Sequence, residues 1–172
     1  LGKYIDVYFD ELGYNPQQLG TFVFVTGIVS FITAVFIVPL FAKFKKQLVA
    51  IAAIQTISAI IVFYVFRASN FLLAVYTVYM VYVIFKAVYK PLEQNYISLH
   101  AEEGKIGRAM GVRQSFLSIG MVIGPLLGGF IYQESSLLLF DSSAITFLIG
   151  VALLGFVYVL EKNHHKKVKQ NV

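Results

Sequence analysis

Five long apolar stretches constrain this chain more than any other feature of its sequence. They lie at about residues 21–42, 48–66, 71–90, 112–132 and 143–160. Each is close to the roughly 20 residues that an α-helix needs to cross the hydrocarbon core of a bilayer. A spanning segment must satisfy its own backbone hydrogen bonds, which strongly favours helices over irregular structure. The sequence therefore predicts an all-α membrane protein with five complete transmembrane helices.

Composition agrees with this fold class. Hydrophobic residues make up 58% of the chain, charged residues only 13%, and the mean hydropathy is +0.75. An ordinary globular domain is far more polar. The chain has no cysteine, which excludes disulfides and thiolate metal sites. The adjacent pair His164 and His165 lacks further ligands nearby in the sequence, so we expect neither a metal nor a cofactor.

The positions of the basic residues indicate the topology. Twelve of the 14 lysines and arginines fall in the turn 43–46, the segment 86–113 and the tail 161–172. By the positive-inside rule these parts are cytoplasmic, and the loop 6–16 is extracytoplasmic. The excess positive charge thus reports membrane orientation, and no nucleic-acid partner is needed to explain it.

The fourth stretch carries a stripe of small residues. Gly120, Gly124 and Gly128 recur at every fourth position, beside Pro125 and Gly129. On a helix these glycines share one face, against which another helix can pack at backbone distance. In water such a helix is poor, because Gly costs roughly 1 kcal/mol and Pro roughly 3 kcal/mol relative to Ala. We expect the stripe to serve helix packing.

The N-terminal segment is too short to span a membrane. Residues 4–9 are amphipathic and lead into the turn-rich sequence 13–16. We interpret them as the end of a sixth helix whose beginning is missing, so the chain is expected to be part of something longer.

Together, these features resemble the major facilitator superfamily. The resemblance rests on the order of the spans, on Leu40-Phe-Ala-Lys-Phe-Lys-Lys46, and on Gly120-x-x-x-Gly-Pro-Leu-Leu-Gly-Gly129. It covers essentially the whole chain and is greatest with bacterial multidrug efflux transporters of the NorA type. It implies the C-terminal half of a 12-helix fold, from the end of helix 7 to helix 12, with a six-helix half preceding it.

The resemblance also implies a function. A chain of this kind is expected to be no enzyme but half of a secondary transporter in a bacterial inner or plasma membrane. It would export drugs or small amphipathic compounds by alternating access, with protons as a candidate coupling ion. A permease for a metabolite, sugar or lipid is the alternative within transport. A membrane-embedded binding or assembly subunit without transport is the alternative from another class.

Candidate cavity residues lie on the third span. Tyr76, Tyr79 and Lys86 share one face of an α-helix, and Tyr82 flanks it. Tyrosines offer stacking surface and a hydroxyl, and a charge inside a span is a site hypothesis by default. The structural alternative is that the tyrosines belong to the membrane interface and that Lys86 snorkels to the surface.

Gating and coupling candidates are scarcer. The resemblance implies carboxylates in helices 7 and 10, but Gly2 and Ala87 occupy those positions. The remaining candidates for a gate or a coupling group are charged residues near the span ends: Asp6, Lys90, Glu93 and Arg108.

Two smaller expectations concern polar residues. Gln55, Thr56 and Ser58, in the middle of the second span, are predicted to form hydrogen bonds between helices. Arg113 is expected to anchor the glycine-bearing helix to cytoplasmic headgroups.

Overall fold

The computed structural model describes residues 2, 4–44 and 46–170, with side-chain surroundings for all of these except residues 42, 161 and 163–170. The described residues form six helices and no strand. Five of the helices are long and apolar enough to cross a membrane, which confirms the predicted fold class. Their bounds are α1, Tyr4–Glu11; α2, 16–42; α3, Gln47–Val65; α4, Phe71–His100; α5, Ile106–Glu134; and α6, Ser136–Gln170.

Helix α2 begins at Pro16, before the predicted residue 21. The side chain of Asn15 accepts a hydrogen bond from the backbone N–H of Gln18, and the Gln18 side chain accepts one from the backbone N–H of Asn15. This capping box satisfies two backbone donors that the first turn leaves free. Pro16 then fits the first turn, where its missing N–H has no consequence.

Helices α2 and α4 each contain one π-helical turn. In α2 the turn Thr33–Ile37 separates Pro16–Ile32 from Val38–Ala42. In α4 the turn Val75–Tyr79 separates Phe71–Ala74 from Met80–His100. A π-turn inserts an extra residue and rotates everything beyond it about the helix axis. Side chains on opposite sides of such a turn do not keep the spacing of an uninterrupted α-helix.

Helix α4 also continues past Pro91, where we predicted the span to end at residue 90 and a loop containing short helix to follow up to residue 111. Pro91 removes one backbone donor from the helix. However, its neighbours Val88 and Leu92 are buried against Ile51 and Ile54 of α3. This packing stabilises the helix through the proline, and only residues 101–105 separate α4 from α5.

The fifth predicted span, residues 143–160, lies inside a longer helix, whose apolar part ends at Leu160. Helix α6 already begins at Ser136, because polar side chains of its first two turns find partners in the helix itself or in the turn before α4. Ser142 and Ser143 donate to the carbonyl of Leu139, at 2.8 and 2.9 Å, and Asp141 pairs with Arg67 at 2.6 Å. The helix also runs into the predicted tail, residues 161–172, as far as Gln170.

The bundle has a buried side and an open side. Helix α3 packs most extensively against α6 and next against α4. Helices α2, α5 and α6 leave most of their residues exposed, and Arg113 and Gly128 are the buried residues of α5. Helix α1 is held in this bundle by Tyr8 and Phe9, whose rings meet those of Phe71 and Phe140.

Candidate functional site

Two adjoining cavities lie beside α1 on the open side of the bundle. The larger, of about 840 Å³, lies among α1, α4, α5 and α6. The smaller, of about 440 Å³, lies among α1, α2 and α4. Gly2 and Lys86 line both. These two residues therefore mark the junction of the cavities.

Lys86 is placed at this junction by the second half of α4. Its Nζ atom lies 3.5 Å from the position that a Cβ on Gly2 would occupy, an ordinary van der Waals distance. Among the described residues that line the larger cavity, Lys86 alone has a charged side chain, and Asp6 joins it in the smaller. Among the described residues no carboxylate forms an ion pair with Lys86.

The three tyrosines of the predicted cavity face do not stay together. Tyr79 lines the smaller cavity but is only 4% exposed, packed among the rings of Phe22 and Tyr82. Tyr82 is buried and lies in neither cavity. Tyr76 is partly exposed beside Phe22 and also lies outside both. The π-turn Val75–Tyr79 explains the split, because it interrupts the spacing on which the shared face was based.

Hydroxyl groups line the larger cavity, but each already donates its hydrogen to a backbone carbonyl. The Tyr4 hydroxyl donates to the backbone carbonyl of Pro125 at 2.6 Å, and the Thr146 hydroxyl donates to that of Ser142 at 2.8 Å. Ser142 and Ser143 donate to Leu139, as described above. Sequence reasoning missed these residues, although hydroxyls three or four positions apart in an apolar helix were a usable signal.

The glycine stripe divides into two parts. A Cβ on Gly128 would lie 2.9 Å from the Tyr4 ring, and one on Gly129 would lie 3.2 Å from its hydroxyl. A Cβ on Gly120 or on Gly124 would meet no described atom of another helix within 4 Å, and both residues line the larger cavity. Gly128 and Gly129 thus contact α1, whereas Gly120 and Gly124 face open space.

A third cavity, of about 620 Å³, lies between α4 and α5 and contains Glu93 and Arg113. Their side chains pair at 2.5 Å, and the Arg113 side chain is only 7% exposed. The Nε atom of Arg113 is buried without a hydrogen-bond partner. Arg113 therefore joins two helices rather than reaching headgroups, contrary to our expectation. Lys90 and Arg108 are exposed and line none of the three cavities.

Polar contacts also connect the helices elsewhere. Gln55 donates to the Tyr89 hydroxyl of α4 at 3.1 Å, which confirms the predicted hydrogen bond between helices. Thr56 instead donates to Ala52 of its own helix, so that part of the prediction is wrong. Glu11 of α1 accepts from Tyr132 and, at 3.3 Å, from Ser136. Asp141 raises the pKa of Arg67 by accepting a hydrogen bond from its guanidinium.

The side chains that line the two cavities define the chemistry available there. No group of three or more His, Asp or Glu side chains that would hold a metal occurs in the part of the chain that the structure describes. The cavity linings offer apolar surface, hydroxyl oxygens, an amine and a carboxylate. These groups suit the reversible capture of an organic solute.

Comparison with known proteins places the chain among transporters. The family model described as Major Facilitator Superfamily matches residues 4–172. The Quinolone resistance protein NorA of Staphylococcus aureus, in strains Mu50, N315 and COL, is 38% identical over 82 residues. The aligned segment covers 47% of this chain and 20% of each relative, so it spans about a fifth of the length of these relatives. No solved structure matches the chain.

The family match covers nearly all of the chain, and the five apolar helices agree with it. The family is one of multi-pass membrane transporters, which work in a lipid bilayer on small substrates. The chain belongs to the Major Facilitator Superfamily.

Proposed function

We propose that this chain is the C-terminal half of a secondary active transporter that exports amphipathic compounds by alternating access. The observation that carries the proposal is the pair of cavities beside α1, lined by helices that are otherwise apolar. A site near the middle of the membrane, between two halves that rock against each other, is the usual arrangement in such carriers.

The exposure of α5 supports the presence of a second half of the transporter that packs against this chain. Apolar side chains project from most sides of this helix, and Phe116 and Val122 are each more than two thirds exposed. A helix that is hydrophobic all round is normally buried. Lipid can cover one side of α5, and we propose that six preceding helices cover the side on which Gly120 and Gly124 lie open.

The relatives suggest the substrate range. NorA is named a quinolone resistance protein. We propose that flat aromatic drugs of this kind are substrates here too. The apolar walls of the larger cavity, among them Pro125, Leu127 and Phe147, give such a molecule a surface to pack against.

Charged residues are the candidates for proton coupling and for gating the cavities. We propose protons as the coupling ion and Asp6, which lines the smaller cavity, as a candidate carboxylate within this chain. Glu93 pairs with Arg113, so it is better suited to holding α4 and α5 together at a gate. Lys90 and Arg108, both exposed, are proposed to contact the cytoplasmic side of the other half.

We further propose that the protein lies in a bacterial cell membrane with its C-terminus in the cytoplasm. The basic turn 43–46 and the segment 101–113 would then face the cytoplasm, and the loop after α1 would face outward. One span separates the loop after α1 from the turn 43–46, and two spans separate that turn from the segment 101–113, which supports this orientation.

Transport in everted vesicles tests the proposal. Vesicles from cells expressing the complete coding sequence are expected to accumulate at least one of two flat aromatic compounds, a quinolone or ethidium, when a proton gradient is imposed. Collapse of the gradient with an uncoupler should release the compound taken up. Vesicles from cells carrying an empty vector provide the control. Uptake equal to that control, with the protein present in the membrane, would contradict the proposal.

Two other functions have observations in their favour. Lys86 at the junction of the cavities suits a permease for an anionic metabolite, which uptake of such a compound without drug transport would reveal. The open face of α5 suits an assembly subunit. In that case, the protein would bind a second membrane protein but move no solute.

A further inference from the structure

We propose that the cavities beside α1 select amphipathic organic anions, and that the Lys86 amine is the group that selects them. The inference rests on the proposed transport function and adds the substrate class. Lys86 is thus proposed as the specificity-determining residue within this chain.

The charge distribution is the first reason. The larger cavity contains one positive side chain and no carboxylate among the described residues that line it. Lys86 is exposed, and a cleft that carries charge of one sign attracts ions of the opposite sign. The carboxylate of Asp6 lines only the smaller cavity and forms no ion pair with Lys86. An organic anion would supply the opposite charge.

The hydrogen-bond inventory is the second reason. Each hydroxyl that lines the larger cavity, on Tyr4, Ser142, Ser143 and Thr146, already donates its hydrogen to a backbone carbonyl. These groups can accept hydrogen bonds but have no hydrogen left to donate. Lys86 is then the side-chain donor still free in the described lining. A solute with strong acceptors, such as a carboxylate, has one place to bind.

The shape of the site is the third reason. Lys86 is exposed and lines both cavities, so a ligand can reach its Nζ atom, and a charge-assisted hydrogen bond there would be about 2.7–2.9 Å long. Met121, Pro125 and Phe147 provide apolar walls in the same cavity. An aromatic body would pack against these walls while its acidic group reaches the amine.

Binding of two related dyes tests the inference. Fluorescein is an anion at pH 7.5, and rhodamine 123 is a cation built on the same xanthene ring system. Fluorescence anisotropy with the purified complete protein gives a Kd for each dye without requiring transport. We expect tighter binding of fluorescein. We also expect Lys86→Gln to weaken it roughly tenfold or more, as loss of a charge-assisted hydrogen bond does.

Further variants separate charge from folding. Lys86→Arg should retain the preference for fluorescein, and Lys86→Glu should reverse it in favour of rhodamine 123. Lys162→Gln is the matched control, because it removes an exposed lysine that lines neither cavity. A ratio of the two Kd values that is the same for the original protein and for Lys86→Gln would overturn the inference. So would tighter binding of rhodamine 123 by the unmodified protein.

The proposed function and this inference fail in different ways. Vesicles that export ethidium regardless of the residue at position 86, with no charge preference in binding, would leave the transporter intact and remove the role of Lys86. Binding of fluorescein that depends on Lys86, without movement of any dye, would support the anion site and contradict transport.

Discussion

At the scale of single residues, small side chains determine where larger ones lie. Gly128 and Gly129 accept the ring of Tyr4, whose hydroxyl reaches the carbonyl of Pro125. The sequence predicted a packing role for the glycine stripe. It did not indicate which glycines were covered, because the covering residue, Tyr4, lies more than 100 positions away along the chain.

The glycines provide a matched pair of variants. Gly128→Ala would place a Cβ 2.9 Å from the ring of Tyr4, so the ring or α1 must move. We expect a loss of about 1–3 kcal/mol in stability, the usual range for overpacking. Gly124→Ala, with open space around it in this half, should leave the thermal unfolding temperature unchanged or higher. Thermal unfolding of the purified protein in detergent measures both, and equal unfolding temperatures would contradict the packing described here.

At the scale of helices, the sequence predicted the number and order of the spans but not all of their ends. The errors share a physical cause. Polar residues near the ends of α4 and α6 suggested loops, whereas in the structure they are satisfied by their own helix or by a neighbouring one. Ser142 and Ser143 bond within α6, and Arg113 bonds across to Glu93. Hydropathy alone does not reveal such partners.

Removing Glu93 and removing Arg113 should destabilise the protein by different amounts. Glu93→Leu leaves the guanidinium of Arg113 buried without its counter-charge, which should cost about 3 kcal/mol or more. Arg113→Leu leaves Glu93, which is 26% exposed and can still reach water, so its cost should be smaller. The double variant should be more stable than Glu93→Leu alone. Chemical unfolding of the three variants in detergent micelles checks the order, and a Glu93→Leu protein as stable as Arg113→Leu would contradict it.

At the scale of the whole molecule, the candidate site forms only where several helices pack together. Lys86 was predicted from its position inside a span, and the structure places it at the junction of two cavities. The face of α4 that was expected to accompany it is divided, because a π-turn lies between Tyr76 and Lys86. The hydroxyls opposite Lys86 come from α1 and α6. No single helix contains the site, so periodicity along one span could not predict its composition.

The central claim is that the cavity opens to water on alternate sides of the membrane. This chain contains no cysteine, so Met121→Cys, which replaces a cavity residue of α5, introduces one thiol here, and any others in the complete protein can be replaced. Ile60→Cys, on the exposed apolar side of α3, is the control. A membrane-impermeant maleimide is applied from one side and then from the other.

We expect Met121→Cys to react from either side, with a proton gradient changing which side is faster and with substrate slowing both reactions. Ile60→Cys should react slowly from both sides under every condition, since it faces lipid. Reaction of Met121→Cys from one side alone, unchanged by gradient or substrate, would contradict alternating access.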